Sequence, residues 1–304
     1  MHPWNLSILD SFARRAGRLP HALLVHGPRG IGKLALAVRI AQRMLCEASD
    51  EARRPCGTCD ACRWFLAGNH PDFRRIEPEI LWQEVPDKPS RVIKIEQIRE
   101  LADFLNVKSH RGGLRIALIH PADDMQLPAA SALLKSLEEP PPGAVFLLVT
   151  HRPTLLPATI RSRCVALPVP VPSREAALAW LAGEGVKKDA ERWLAYAGGA
   201  PLRALQYAAE AESLIRLLES PAPVDGREEL ERLAETLQKL ALDQAFTAFG
   251  LPSRYQTGGK VGRAQDGRAW LAYARQMGRN RLLAQHPVNP RLFSAEMLAS
   301  RPKT

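Results

Sequence analysis

The chain has 304 residues, of which 46% are hydrophobic and 24% are charged, and its formal net charge is +10. This composition excludes a disordered chain, and the length favours two or three domains over a single small module. The first ten residues lack a basic region followed by a long apolar run, and no segment approaches the roughly 18 apolar residues of a membrane span. We therefore expect a cytoplasmic protein with no membrane partner.

The first motif is a short apolar run, residues 21–26 (HALLVH), followed by a glycine-rich loop and a helical pattern. Residues 27–33 (GPRGIGK) fit G-x-x-x-x-G-K, in which backbone N–H groups converge on phosphate and the lysine reaches the β/γ oxygens. The next residue is Leu34, where the motif requires a Ser or Thr hydroxyl to hold Mg²⁺. The loop could therefore bind phosphate or ATP, or it could have a purely structural role. The candidate phosphate contacts are Gly27, Gly30, Gly32 and Lys33.

Four of the five cysteines follow the predicted helix with the spacing C-x9-C-x2-C-x2-C: Cys46, Cys56, Cys59 and Cys62. In a reducing cytosol this crowding indicates a metal site and not disulfides, and two C-x2-C turns suit tetrahedral zinc. An iron–sulfur run would place its fourth cysteine at Leu66. Four thiolates leave no open position for water, so we predict structural zinc, with nucleic-acid contact by this knuckle as an alternative.

Strand and helix patterns then alternate along the chain. Residues 93–107 form an amphipathic helix pattern, residues 115–120 (RIALIH) and 145–150 (VFLLVT) are short apolar runs, and a helical face at residues 130–137 lies between those runs. The intervening residues 78–90 are rich in proline and charge and are predicted to form a loop. This alternation predicts an α/β fold with a parallel sheet covered on both faces.

A second metal-binding feature of nucleotide hydrolases is missing from the sequence. The run at residues 115–119 should be followed by acidic residues that hold Mg²⁺, but the chain has His120 and Pro121, with Asp123 and Asp124 displaced beyond them. Because Leu34 removes the other ligand of the same metal, the two departures together predict that nucleotide hydrolysis is lost.

The remainder of the chain reads as helix. A proline run at residues 168–172 (PVPVP) and later breaks place domain boundaries near 170 and 210, giving segments 1–170, 171–210 and 211–304. Residues 251–304 carry ten Lys/Arg against two acidic residues, a net +8. Such a segment can attract phosphate backbones or an acidic partner, or it can consist of solvated helix faces.

Several motifs occur here in one order: the phosphate loop, the four-cysteine insert, residues 131–141 (SALLKSLEEPP) and residues 160–164 (IRSRC). Together they resemble the bacterial clamp-loader AAA+ subunits of DNA polymerase III, over most of the chain. The resemblance implies an AAA+ P-loop domain (1–170) with a zinc module (46–62), a small helical lid domain (171–210) and an all-α collar domain for oligomerisation (211–304).

Loss of the Mg²⁺ ligands resembles the delta-prime type within this family, as does the segment at residues 286–293 (HPVNPRLF). The implied role is a non-hydrolysing stator that joins gamma/tau and delta subunits and helps to load the sliding clamp onto primer-template DNA. The resemblance also implies that Arg163 acts in trans as an arginine finger at a neighbouring ATP site, whereas pairing with a carboxylate across an interface is the simpler interpretation. Thr150 with His151 and Arg203 fall at the sensor positions of the family.

The sequence is also compatible with two other hypotheses. In the first, the chain is an active gamma/tau-like ATPase: Lys33 binds the nucleotide, and Asp123 or Asp124 serves as a substitute metal ligand. It is an independent zinc-dependent DNA-binding protein if the cysteine knuckle and the basic C-terminal segment bind DNA without other subunits.

Overall fold

The computed structural model describes residues 1–14, 20–110, 113–258, 266–284 and 286–302. These residues form two compact units, Met1–Val171 and Pro172–Thr304. Among the described residues, no helix combines the length and apolar character that crossing a bilayer requires. The predicted boundary near 170 falls beside the division between the units, but the three-domain division with a boundary near 210 stays a prediction.

The first unit is an α/β structure built on a five-stranded sheet with the strand order β2-β3-β4-β1-β5, in which the paired strands are parallel. This confirms the predicted α/β class and the parallel sheet. Its strands are β1 (Ala22–His26), β2 (Phe73–Ile76), β3 (Arg115–Ile119), β4 (Ala144–Thr150) and β5 (Val165–Pro168). Its α-helices are α1 (Leu6–Ala13), α2 (Lys33–Leu45), α3 (Asp60–Leu66), α4 (Ile95–Asn106), α5 (Leu127–Glu138) and α6 (Ala158–Arg161).

The central strands explain the continuous apolar runs in the sequence. All residues of β3 and β4 are buried, as expected for parallel strands with both faces covered. The edge strands β2 and β5 were not predicted, because they are short and partly exposed and lack a continuous apolar run. The predicted loop at 78–90 contains one short 3-10 helix, Glu79–Leu81.

The second unit is helical, as the sequence predicts. Its helices are α7 (Arg174–Gly183), α8 (Ala190–Tyr196), α9 (Pro201–Ala209), α10 (Ala211–Glu219), α11 (Arg227–Ala248), α12 (Gly267–Leu283) and α13 (Pro290–Ala299). Leu230, Leu233, Leu237 and Leu240 recur at helical spacing on α11 and are buried in a core that also includes Trp193 and Trp270. Lys260, Arg263 and Lys303 of the predicted basic segment lie outside the described residues.

Candidate functional site

The phosphate loop lies between β1 and α2, the arrangement that the G-x-x-x-x-G-K motif requires. Gly32 has a φ of +82°, in the left-handed region, and α2 begins at Lys33. A Cβ at Gly27 would lie 2.3 Å from the carbonyl oxygen of Val169, so only glycine lets the chain pass there. The structure thus forms the predicted loop, and its glycines are required by the backbone path.

The N-terminal segment packs against this loop. The 3-10 helix Pro3–Asn5 places Trp4 Nε1 at 2.9 Å from the carbonyl oxygen of Ile31, to which it donates a hydrogen bond. The side-chain amide of buried Asn5 donates to the carbonyl oxygens of Ile31 at 3.2 Å and Gly32 at 3.3 Å. The loop is therefore fixed in place by side chains of its own unit.

Lys33, the predicted phosphate contact, is only 3% exposed. Its Nζ donates a hydrogen bond of 2.5 Å to the carbonyl oxygen of Pro28. Burial lowers the pKa of Lys33 to about 8; the charge of Asp123 opposes this change, and that of Arg29 adds to it. The ammonium group that a phosphate would have to reach is thus buried and bonded to the backbone of the loop itself.

An imidazole occupies the strand end at which the sequence lacks its acidic residue. His120 follows β3, and its Nδ1 lies 3.0 Å from Oε1 of Glu77. Its ring meets the ring of His151 edge to face, with the centroids 5.5 Å apart. Burial, followed by the charge of Lys33, lowers the pKa of His151 to about 3, so this ring is neutral at pH 7. An imidazole, His120, thus stands where a hydrolase would hold a carboxylate, and the neutral ring of His151 packs against it.

Asp123 is close to the phosphate loop, but its carboxylate is already bound by the protein. Oδ1 accepts hydrogen bonds from the Thr150 hydroxyl at 2.8 Å and from the backbone N–H of His151 at 2.9 Å. Oδ2 accepts from Nε of Arg152 at 3.0 Å. Burial opposes ionisation, but these bonds outweigh it and lower the pKa of Asp123 below its ordinary value. Both oxygens are therefore engaged, and so is the hydroxyl at the first sensor position.

Asp124, the next residue, is in the opposite electrostatic state. It makes a single longer contact, 3.4 Å from Nη2 of Arg152, and its side chain is 31% exposed. Burial, together with the adjacent charge of Asp123, raises the pKa of Asp124 to about 6. Of the two carboxylates, Asp124 is thus the one that is easier to protonate and that makes fewer contacts with other protein groups.

Arg163 lies after α6 and is anchored by its own unit. Its Nη2 forms an ion pair of 2.6 Å with Oε1 of Glu138 at the end of α5, and Nη1 donates to the carbonyl oxygen of Thr159 at 2.9 Å. The Arg163 side chain is 34% exposed and that of Glu138 is 50% exposed. The guanidinium is therefore held in a defined position while part of it faces solvent.

Arg203, at the second sensor position, is bound inside the helical unit. Its Nη2 lies 2.8 Å from Oε2 of Glu235, whose other oxygen lies 2.8 Å from Nζ of Lys239. Tyr207 donates to that second oxygen at 2.9 Å. Burial disfavours the charged form of Glu235, but Lys239 and Arg203 outweigh it and hold its pKa well below the ordinary value. Arg203 is thus bound in a half-buried ion-pair network.

The four predicted metal ligands come together. One Sγ from each of Cys46, Cys56, Cys59 and Cys62 lies within 4.8 Å of all the others, and the Sγ atoms of Cys46 and Cys59 are 4.0 Å apart. Tetrahedral zinc with Zn–S bonds of about 2.3 Å requires sulfur atoms about 3.8 Å apart, so the four thiols fit such an ion. The first of them follows α2, and the last two stand at the start of α3.

The backbone around the cluster turns its N–H groups toward sulfur. Those of Cys56, Cys59 and Cys62 lie 3.4 Å from the Sγ atoms of Cys46, Cys56 and Cys59, respectively. Hydrogen bonds from the Thr58 side chain and from backbone N–H groups lower the pKa of Cys56 to about 5, whereas burial raises that of Cys62 to about 12. A bound metal cation would favour the thiolate at both positions.

Sequence reasoning missed the side chains that engage the predicted site residues. Glu138 lies in the SALLKSLEEPP motif, but its pairing with Arg163 could not be read from the motif. Arg152 could have been anticipated: it follows β4 just as Asp123 follows the adjacent parallel strand β3, and the carboxyl ends of adjacent parallel strands share one edge of the sheet. No sequence pattern marked Glu77 or Glu235.

The chain matches the profile of the family described as DNA polymerase III, delta subunit, over residues 5–172. It is similar to the DNA polymerase III subunit delta' of Pseudomonas aeruginosa, with 41% identity over 207 residues that cover 67% of this chain and 60% of that protein. The corresponding subunit of Escherichia coli K12 is 35% identical over 185 residues, 60% of this chain and 53% of that protein. The match therefore spans less than two thirds of the length of these relatives.

A related subunit with another name is also similar. The DNA polymerase III subunit tau of Escherichia coli K12 is 39% identical over 149 residues, which cover 49% of this chain and 21% of that protein. This match involves a smaller part of both chains than the match to the Pseudomonas aeruginosa protein.

Proposed function

Because this chain belongs to the family described as DNA polymerase III, delta subunit, we propose that it is a delta'-type subunit of a clamp loader. In this role it joins gamma/tau and delta subunits and helps to load the sliding clamp onto primed DNA. It is a stator that does not itself hydrolyse ATP. Residues 1–170 act as its AAA+ domain, residues 171–210 as a lid and residues 211–304 as the collar that assembles the complex.

The hydrogen bonds that the Asp123 carboxylate accepts from the protein are the main support for the absence of ATP hydrolysis. Leu34 offers no oxygen to Mg²⁺, His120 replaces the expected carboxylate, and both oxygens of Asp123 accept hydrogen bonds from the protein. A metal bound by Asp123 would have to enter a buried position beside the positive guanidinium of Arg152, which disfavours a cation there. These observations argue against substitute metal ligation, which the active-ATPase alternative requires.

The purified chain should therefore show no Mg²⁺-dependent ATP turnover above background. The measurement is phosphate release together with calorimetric titration of Mg-ATP into the chain, with Lys33→Ala as the matched variant. Turnover that Lys33→Ala abolishes would establish the gamma/tau-like ATPase instead, an alternative consistent with the similarity to tau.

Arg163 supplies the catalytic contribution of this subunit, at the ATP site of a gamma/tau neighbour. A guanidinium placed at the γ-phosphate offsets charge that builds in the transition state, and its fork can bind two phosphate oxygens. The contact with Glu138 supports this role, because it orients the side chain and leaves it partly exposed. Glu138 is thus a positioning residue for Arg163.

Arg163→Ala tests this role in the assembled loader. We expect hydrolysis at the neighbouring site to fall about 10³-fold or more, because arginine fingers contribute at that level. The measurement is DNA- and clamp-stimulated ATPase activity, with subunit assembly checked by gel filtration. The matched control is Arg161→Ala, since Arg161 is an exposed arginine two residues away. Equal activities of the two variants would refute the trans role.

In this proposal, zinc bound at the cysteine cluster has a structural role. When bound, it links the end of α2 to the start of α3 through four thiolates. The ligand set supports a closed coordination shell, since four sulfur ligands leave no position for a reacting water.

A further inference from the structure

The exposed face of α12 carries a row of arginines that the proposed function does not use. Arg268, Arg275 and Arg279 are all exposed. They are spaced by seven and four residues, so at 100° per residue their directions around the helix all fall within a sector of about 40°. With a rise of about 1.5 Å per residue, the row extends about 16 Å along the helix. We call these three residues the arginine row.

The charge of the arginine row is uncompensated within the described part of the chain. None of its three guanidinium groups forms an ion pair with another described residue. Arg281 on the same helix provides the contrast, because it pairs with Glu235 at 3.7 Å and with Oε1 of Gln238 at 3.0 Å. The sequence of α12 contains no Asp or Glu.

The chemistry of the arginine row favours phosphate as its ligand. Between Arg268 and Arg275 the same face exposes Ala272, whose small side chain leaves the guanidinium groups accessible. A stable protein interface is usually built around aromatic or aliphatic anchors, and no large apolar side chain is exposed between Arg268 and Arg279. Arginine forks bind phosphate oxygens in pairs, and a polyanion also releases counterions when the arginines bind it.

We propose that the arginine row on α12 binds the phosphate backbone of nucleic acid. The contact is independent of base sequence, since charge and a regular row of guanidinium groups carry no base-reading pattern. The proposal deepens the proposed function by assigning a nucleic-acid surface to the helical unit. It rests on that function only in assuming that the protein works in the presence of DNA. It does not depend on the phosphate loop or on Arg163.

The test compares two triple variants of the full chain that change the charge equally. R268Q/R275Q/R279Q removes the arginine row, and R216Q/R227Q/R291Q removes three exposed arginines on α10, α11 and α13. Fluorescence anisotropy with a labelled duplex of arbitrary sequence gives the affinity as a function of NaCl concentration. Circular dichroism verifies that both variants keep the helical content of the unmodified chain.

We expect R268Q/R275Q/R279Q to weaken binding about tenfold or more at low salt and to reduce the slope of log K against log salt by about 2–3, since each phosphate contact contributes about 0.9. The control triple should change affinity by less than about threefold, because Arg216 and Arg291 already pair with Glu212 and Asp225 and the three arginines form no row on one helix. Equal losses in the two variants, or an unmodified chain without salt-dependent affinity, would overturn the proposal. Polyglutamate that competes as strongly as unlabelled duplex would also overturn it, by assigning the row to acidic proteins.

These outcomes are separable from a failure of the proposed function. DNA binding is measured on the chain alone, whereas the role of Arg163 is measured as ATPase activity of the assembled loader. A negative outcome of one experiment therefore leaves the conclusion of the other unaffected.

Discussion

The phosphate-loop region and the cysteine cluster are both candidate metal or ligand sites in the first unit, yet they differ in how their polar groups are satisfied. Near the loop, Lys33 and Asp123 form hydrogen bonds with neighbouring protein groups. At the cluster, four sulfur atoms converge on one point, and the surrounding N–H groups stabilise negative charge on sulfur. The difference shows that retaining the residues of a motif is not sufficient for ligand binding, because their ligand-binding atoms must also remain available.

Removal of one cysteine should produce the largest effect on this comparison. Cys59→Ser should abolish bound zinc and destabilise the first unit by roughly 3 kcal/mol or more, since binding free energy at a structural zinc site contributes to folding. Elemental analysis and thermal unfolding measure the two effects. Cys164→Ala is the control, because Cys164 lies outside the cluster. A metal-free chain with unchanged stability would show that the four thiols are not a structural metal site.

An intermediate effect is expected at the buried carboxylate near the loop. Asp123→Asn should destabilise the chain by about 2–4 kcal/mol, because an amide cannot accept all the hydrogen bonds from Thr150, His151 and Arg152 and leaves the guanidinium without its charge partner. Urea unfolding at pH 7 gives the difference. A loss below about 0.5 kcal/mol would contradict the view that internal partners fix this carboxylate, since such a loss is typical of an ordinary surface site.

The smallest effect is expected at Asp124, and its sign is opposite. The pKa of Asp124 is about 6 in the folded chain, against an ordinary value of 3.8, so its ionised form destabilises the folded state at pH 7. Asp124→Asn should stabilise the chain at pH 7 by up to about 2 kcal/mol, with solvent screening included. The gain should shrink as the pH falls from about 6 to about 4, where the wild-type carboxyl becomes protonated.

The measurement for Asp124 is chemical unfolding of both proteins across that pH range. Taking the difference between them cancels the titration of other groups. A gain that does not change with pH would indicate that Asp124 keeps an ordinary pKa and does not differ electrostatically from its neighbour.

Sequence patterns were sufficient where a property depends on residues close together in the chain. The spacing from Cys46 to Cys62 predicted the cluster, because two C-x2-C turns bring sulfur atoms together locally. The apolar runs that became β1, β3 and β4 predicted a parallel sheet, since central strands are buried on both faces. The same logic failed for β2 and β5, whose strand conformation depends on pairing with a distant neighbour.

By itself, the sequence determined the α/β class, the phosphate loop, the four clustered cysteines and the missing metal ligand at Leu34. Only the tertiary structure decided which charged groups remain available. Asp123 and Asp124 are adjacent and chemically identical, yet the pKa of one is lowered and that of the other is raised. The reason is that hydrogen bonds from Thr150, His151 and Arg152 reach Asp123, and these partners are brought to it by the alignment of β3 with β4.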